Sequence, residues 1–194
     1  MKIGCVVMAA GKSSRFGSNK LLADLGGVPL LCRTLEHLPF HRLDRVVTVV
    51  SSPRVAALCQ GWPVSVVLYP GGPQSETIRR GIEAMDDMDG CVFMPGDQPL
   101  CRPDSFVRLL DAFSAQPSHA FRLSYADQGA SPVIFPRRLF PALGQLQGEQ
   151  GGMAALRCQG ETAGLVQAEY PWELWDADTP QALEQIAAAF AESF

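Results

Sequence analysis

The chain has 194 residues, 47% of them hydrophobic and 19% charged, which fits an ordinary folded protein and excludes wholesale disorder. Lys and Arg number 16 against 20 Asp and Glu, a net charge of −4 that argues against a nucleic-acid coat or a binder of anionic membranes. No apolar run approaches the ~20 residues that span a bilayer.

The apolar start, Ile3 to Ala10, has only Lys2 before it and no small-residue cleavage site after it, so a cytoplasmic location is expected. Six cysteines are widely spaced, and no CxxC occurs. Three of them (Cys5, Cys59 and Cys91) fall in apolar runs, where cysteine behaves as a small hydrophobe; reduced, structural thiols are expected.

In chain order, Ile3 to Ala9 is a short apolar run that ends in a Gly/Ser-rich loop, the pattern of a buried strand. A helix is predicted over Pro29 to Leu38, after a Gly26-Gly27 turn. Arg45 to Val50 holds four valines in six residues and is the clearest strand. Ser52-Pro53 opens a short helix to Gln60, Val64 to Tyr69 is a third strand, and Glu76 to Met85 is a helix with Ile78, Ile82 and Met85 on one face. Cys91 to Met94 is the fourth strand. Pro103 suits a first helical turn, and Phe106, Leu109, Leu110 and Phe113 then follow at helical spacing. Residues 119–175 break the alternation, with strands predicted at Phe121 to Tyr125, Pro132 to Phe135 and Thr162 to Ala168. A last helix begins near Thr179, its apolar face carrying Leu183, Ile186, Ala187 and Phe190.

Alternating strands and helices with continuous apolar strands imply a mostly parallel sheet covered on both faces, a Rossmann-like three-layer α/β/α sandwich. Right-handed crossovers place the strand-to-helix loops on one edge, and ligands of such sheets bind beyond the carboxyl ends of the strands. Residues 119–175 then read as a small extension that receives a second substrate.

Four segments carry the chemistry. Ala9-Ala10-Gly11-Lys12-Ser13-Ser14-Arg15-Phe16-Gly17-Ser18-Asn19-Lys20 follows the first strand, and residues 1–23 hold four cations and no acid. Small residues let backbone N–H groups approach an anion, so a polyphosphate is the natural guest. Neither familiar phosphate loop fits: the P-loop needs Gly where Val6 stands, and no GxGxxG is present. Pro95-Gly96-Asp97-Gln98-Pro99 sets a carboxylate over the same edge. Beside phosphates it calls for a divalent cation, although it also suits a plain turn. In Asp176-Ala177-Asp178-Thr179-Pro180, Asp178 or Thr179 is a good helix cap, and Asp178 is a second metal ligand if the chain returns to that edge. Gly71 to Gly81 is a turn running into a helix whose N-terminus, with Ser75 and Thr77, suits a base or a ribose. His37, His41 and His119 lie in no motif.

In this order the segments resemble the MobA-like nucleotidyltransferases, most closely the molybdenum cofactor cytidylyltransferases. The family opening L-A-A-G-x-S-x-R-[FM]-G-x-x-K corresponds to Met8 through Lys20. G-D-[MQ]-P corresponds to Gly96-Asp97-Gln98-Pro99, S-[LV]-x-x-G to Thr77-Ile78-Arg79-Arg80-Gly81, and D-[IV]-D-T-P to Asp176 through Pro180. The resemblance implies one nucleotidyltransferase domain over 1–194, with a nucleotide part (1–115), an acceptor-side part (116–178) and the C-terminal helix. It implies that Ala9, Ala10, Gly11, Lys12 and Lys20 hold the nucleoside triphosphate with Thr77 and Gly81. Arg15 and Lys20 would serve catalysis, and Asp97 and Asp178 would hold Mg²⁺. The implied reaction moves CMP from CTP to the phosphate of molybdopterin and releases pyrophosphate. A molybdenum hydroxylase that receives the product is a further implied partner, and neither nucleic acid nor membrane is expected. The sequence departs from the pattern on the acceptor side, where G-H-P-V reads Ala130-Ser131-Pro132-Val133 and G-D-x-G-A reads Gly148-Glu149-Gln150-Gly151-Gly152. The alternatives are a cytidylyltransferase acting on methylerythritol phosphate, a guanylyltransferase, or a nucleotide-binding module that inserts cofactor without turnover.

Overall fold

A computed structural model describes residues 1–11, 16 and 19–193. The strands are β1 (Ile3–Ala9), β2 (Asp24–Leu25), β3 (Val28–Pro29), β4 (Arg45–Val50), β5 (Ser65–Leu68), β6 (Gly90–Pro95), β7 (Phe121–Tyr125), β8 (Gln128–Pro136) and β9 (Gly164–Gln167). The α-helices are α1 (Leu30–Glu36), α2 (Pro53–Leu58), α3 (Gln74–Glu83), α4 (Pro103–Ala115), α5 (Phe140–Gly144), α6 (Met153–Cys158) and α7 (Pro180–Ser193).

Seven strands form one sheet in the order β5-β4-β1-β6-β8-β7-β9. Pairing is parallel throughout except at β8, which runs against both β6 and β7. The chain leaves β1 toward β4 and β5, then crosses back to place β6 on the other side of β1. Strand order therefore reverses beside β1, and a crevice opens there at the carboxyl edge.

Alternation along β1 shows why both faces must be covered. Cys5, Val7 and Ala9 join the cluster that includes Leu31, Leu35, Val55, Phe106 and Phe113 from α1, α2 and α4. Val6 and Ala10 join the opposite cluster, with Ile78 of α3 and residues from the α5–α6 region. A strand buried on both faces has no polar side, which is why its sequence reads as a continuous apolar run.

Several boundaries differ from the sequence reading. The Gly26-Gly27 turn joins a small hairpin, β2–β3, in which both glycines adopt positive φ (64° and 80°). Two such residues make the turn that matches strand twist, and a side chain would strain either one. The helix predicted from Glu76 starts at Gln74 and ends at Glu83, so Met85 lies past it yet is fully buried. The strand predicted from Pro132 begins at Gln128, because pairing with β7 extends it. In α7 Ala187 faces solvent instead of the core, and Ala189 packs with Leu183, Ile186 and Phe190. All six cysteines are free; Cys5, Cys59, Cys91 and also Cys101 are buried.

Gly81 matters for packing. A Cβ there would lie 2.6 Å from Val6 Cγ1, so the missing side chain is what lets α3 rest on β1. Gly81→Val should cost at least ~2 kcal/mol through overpacking, a fall in Tm of roughly 4–8 °C for a chain of this size. An unchanged melting curve would show that β1 yields to the added methyls.

Candidate active site

The carboxyl edge between β1 and β6 carries a cleft of about 530 Å³, within the range of small-molecule sites. Its floor is Met8, Ala10 and Gly11 at the end of β1, with Pro95 and Asp97 after β6. The Gly96 N–H donates to the Met8 carbonyl (3.0 Å), and buried Thr34 of α1 donates its hydroxyl to the Gly96 carbonyl (3.0 Å). The loop carrying Asp97 is thus tied to β1 and α1 rather than free to swing.

Lys20 opens a 3₁₀ turn, Lys20–Leu22, which the Asn19 side chain caps through the Leu21 N–H. Buried Leu21 anchors that turn in the core. The Lys20 ammonium reaches into the cleft, where it donates to Asp97 and to Asp178 Oδ1 at 2.8 Å. Lys20 and Asp97 are largely shielded from solvent, with side-chain exposures of 14% and 12%. Burial disfavours the charged amine, but the two carboxylates outweigh it and hold the lysine pKa above its ordinary value.

A strap over residues 171–178 brings Asp178 to this point. Ala177 is fully buried against Leu25, Leu30, Leu100 and Ile186, and its N–H donates to the Asp97 carbonyl (3.0 Å). With Ala177 fixed inward, Asp176 and Asp178 on either side of it line the cleft. The strap is held from below by Glu173, a fully buried carboxylate that accepts from the N–H groups of Arg102, Glu169 and Tyr170. Thr179 caps α7, its hydroxyl accepting from the Ala182 N–H (3.1 Å). Thr179 thus accepts the capping bond, and the Asp178 carboxylate meets Lys20.

Asp176 is the residue the sequence left without a role. Asp176 is exposed and lines the cleft. Loss of hydration, then the charges of Asp97 and Asp178, push its pKa to about 7 against the pull of Lys20 and Gln98. A third carboxylate this close to two others is a site that favours cations.

The residues present fit a divalent ion. One ammonium contacts both Asp97 and Asp178, which shows that the two carboxylates reach a common point. Mg²⁺ asks no more of a protein than one or two carboxylates, its other ligands being water and substrate phosphates. Among the described residues no group of three or more His, Cys, Asp or Glu is placed to hold a metal ion.

Thr77 lines the cleft and shares a short hydrogen bond with the Tyr69 hydroxyl (2.6 Å). At the N-terminus of α3 the Ser75 N–H donates to the Gly148 carbonyl (3.2 Å) and the Gln74 N–H to Glu149 (3.3 Å), while Gln74 and Thr77 line the cleft. Gly81 does not line the cleft, and Ala9 turns its methyl into the core. Lys12 and Arg15 lie outside the described residues. Ser131, Glu149, Gly72 and Gln74 also line the cleft. The first two belong to the stretches that depart from the family pattern, and the sequence reading gave neither a role.

The purine catabolism protein PucB of Bacillus subtilis strain 168 is 29% identical, the match covering 96% of each chain. The probable molybdenum cofactor guanylyltransferase of Pyrococcus horikoshii is 31% identical over 59% of this chain and 58% of its own length. Cytidylyltransferases also match, over a little more than half of this chain. Among solved structures, the manganese complex of Rv0371c from Mycobacterium tuberculosis superposes with a TM-score of 0.80 at 23% identity, covering 97% of this chain and 100% of that one. Residues 5–165, which include most of β1, all of β6 and the cleft residues Gly11, Lys20 and Asp97, match the MobA-like NTP transferase domain, and the chain belongs to that family of nucleotidyltransferase enzymes.

Proposed function

We propose that the protein transfers CMP from CTP to the terminal phosphate of molybdopterin, with Mg²⁺ as its divalent ion. The observation that carries the reading is the convergence of Lys20, Asp97 and Asp178 at the edge between β1 and β6. The motif resemblance to molybdenum cofactor cytidylyltransferases supports the base and the acceptor. The manganese bound by the structural neighbour supports the metal.

In this reading an oxygen of the acceptor phosphate attacks the α-phosphorus of CTP in line. The new P–O bond forms as the bond to the β-phosphate oxygen breaks, and pyrophosphate leaves with the electron pair. The acceptor is already an anion, so no general base is required. The task left to the protein is positioning and charge neutralisation. Asp97 and Asp178 would hold Mg²⁺, which when bound neutralises phosphate charge so that two anions can meet. Lys20 stands beside both carboxylates and supplies positive charge to the reacting phosphoryl group. Ala10 and Gly11 leave the end of β1 free of side-chain bulk, so phosphates can come close to the backbone. The resemblance adds Lys12 and Arg15 to the phosphate grip. Transfer to a molybdenum hydroxylase completes the proposed role.

The primary test is pyrophosphate release with Mg²⁺, each of the four NTPs, and molybdopterin or methylerythritol phosphate as acceptor. Release with CTP and molybdopterin alone is expected. Release with GTP reassigns the base, release with methylerythritol phosphate reassigns the acceptor, and nucleotide binding without release makes the protein a binding module.

Lys20→Ala should lower turnover by ~10²-fold or more, comparable to losing one oxyanion donor, and a rate within twofold of wild type removes Lys20 from the chemistry. Asp97→Asn should abolish Mg²⁺-dependent release while the protein stays folded by circular dichroism; full activity would move the metal elsewhere.

Asp176 yields a pH prediction. Its folded-state pKa of about 7 lies above the unfolded value of ~3.9, so the folded protein binds more protons between these limits. Stability therefore falls as pH rises through that window. In chelator-treated protein Asp176→Asn should raise Tm at pH 8 and leave it nearly unchanged at pH 4. Equal effects at both pH values would mean that Asp176 is not crowded by its neighbours.

A further inference from the structure

Lys20 stands on anchored backbone. Asn19 caps its 3₁₀ turn, and buried Leu21 pins that turn to the core. Asp97 is held as firmly, because the Gly96 N–H bonds Met8 and the Thr34 hydroxyl bonds the Gly96 carbonyl. Asp178 follows buried Ala177, whose N–H donates to the Asp97 carbonyl. Between these fixed points the adjustable part is the four-carbon stem of the lysine, with a compact charge at its end.

The ammonium donates to Asp97 Oδ2 and to Asp178 Oδ1, one oxygen of each carboxylate. A divalent ion bridging the same pair, through these oxygens or their neighbours, would lie within a few ångströms of the ammonium. Lys20 and Asp97 are largely shielded from solvent, so two cations at that range repel strongly. The pair therefore serves the ammonium or the ion, and not both in this geometry. Lys20 has another place to reach. Ala10 and Gly11 line the same cleft, and a Cβ at Gly11 would meet nothing within 4 Å. Phosphates that approach the backbone there offer the lysine new partners. Asp176 stays on the cleft wall as a third acid that an ion would find.

We infer that Lys20 is a built-in competitor of the divalent ion. It holds Asp97 and Asp178 until a polyphosphate draws its ammonium away, so the ion binds weakly to the protein alone and tightly beside nucleotide. The inference rests on the metal role proposed above for Asp97 and Asp178, and adds to it the order in which the site fills. An apparent affinity falls with the fraction of time that a site is not competent to bind, and here the ammonium sets that fraction. The consequence is coupling between two ligands. Nucleotide phosphates give the lysine a new counter-charge and the ion its remaining ligands in one event.

The experiment is Mn²⁺ binding to the intact protein, followed by electron paramagnetic resonance, first without nucleotide. Lys20→Met keeps the length of the side chain and removes its charge. It should bind Mn²⁺ at least ~10-fold more tightly than wild type, the gain expected when a competitor is removed. Lys20→Gln, neutral but still a donor, should change affinity in the same direction and guards against misfolding of the first variant. Adding Asp97→Asn to Lys20→Met should abolish the gain, which assigns the ion to the carboxylate pair. CTP without acceptor should tighten Mn²⁺ binding more in wild type than in Lys20→Met. In chelator Lys20→Met should melt below wild type, and Mn²⁺ should raise its Tm by more. Mn²⁺ affinity in both neutral variants within twofold of wild type, or weaker, overturns the inference. So does a gain that survives Asp97→Asn, or equal tightening by CTP in wild type and Lys20→Met. The transfer reading fails separately, through no pyrophosphate release from any NTP and acceptor while the Mn²⁺ gain in Lys20→Met stands.

Discussion

The arrangement of this protein depends on like charges held close together. Asp97, Asp176 and Asp178 crowd one end of a cleft, and within the described residues Lys20 is the cation shared between two of them. Repulsion of this kind costs the folded state free energy that a simple turn would not incur. It persists because the backbone beneath is over-determined. The Asp97 carbonyl accepts from Ala177, the Gly96 N–H bonds β1, and Glu173 clamps the strap from inside. Charge crowding maintained against its own cost is a common mark of a site built for a cation or for phosphate.

The topology explains why the carboxylates meet there. Strand order reverses beside β1, so the carboxyl ends of β1 and β6 lie side by side at one edge of the sheet. The single antiparallel strand, β8, adds a wall rather than another crossover. It supplies Ser131 to the main cleft and Val133 and Phe135 to a smaller pocket beside it.

Packing and chemistry divide the glycines and small residues between them. Gly81 sits in a family motif, yet its neighbour is Val6, and its role is to let α3 lie close on β1. Gly11 has open space around it and belongs to the cleft. The N-terminus of α3 shows the same division, since its first N–H groups bond Gly148 and Glu149 while Gln74 and Thr77 line the cleft. A motif thus mixes residues that touch substrate with residues that hold the fold.

Much of the fold was legible in the sequence because a strand buried on both faces and a helix buried on one leave direct traces in hydrophobic spacing. The valine run of β4, the Phe106-to-Phe113 face of α4 and the proline at its first turn all appear where periodicity puts them. Asp97 and Lys20 were legible as chemistry because charge gathered beside small residues at a strand end has few other uses. Tertiary structure alone decided the rest. The meeting of Asp178 with Lys20 spans 158 residues, and Thr179 takes the capping bond of α7. The position of Asp176 and the bonds from the first N–H groups of α3 to Gly148 and Glu149 follow from β8 reversing direction and from the strap 171–178 folding back. Local propensity does not encode contacts of that range; they exist because burying Ala177, Phe135 and Leu143 leaves the chain few other places to go.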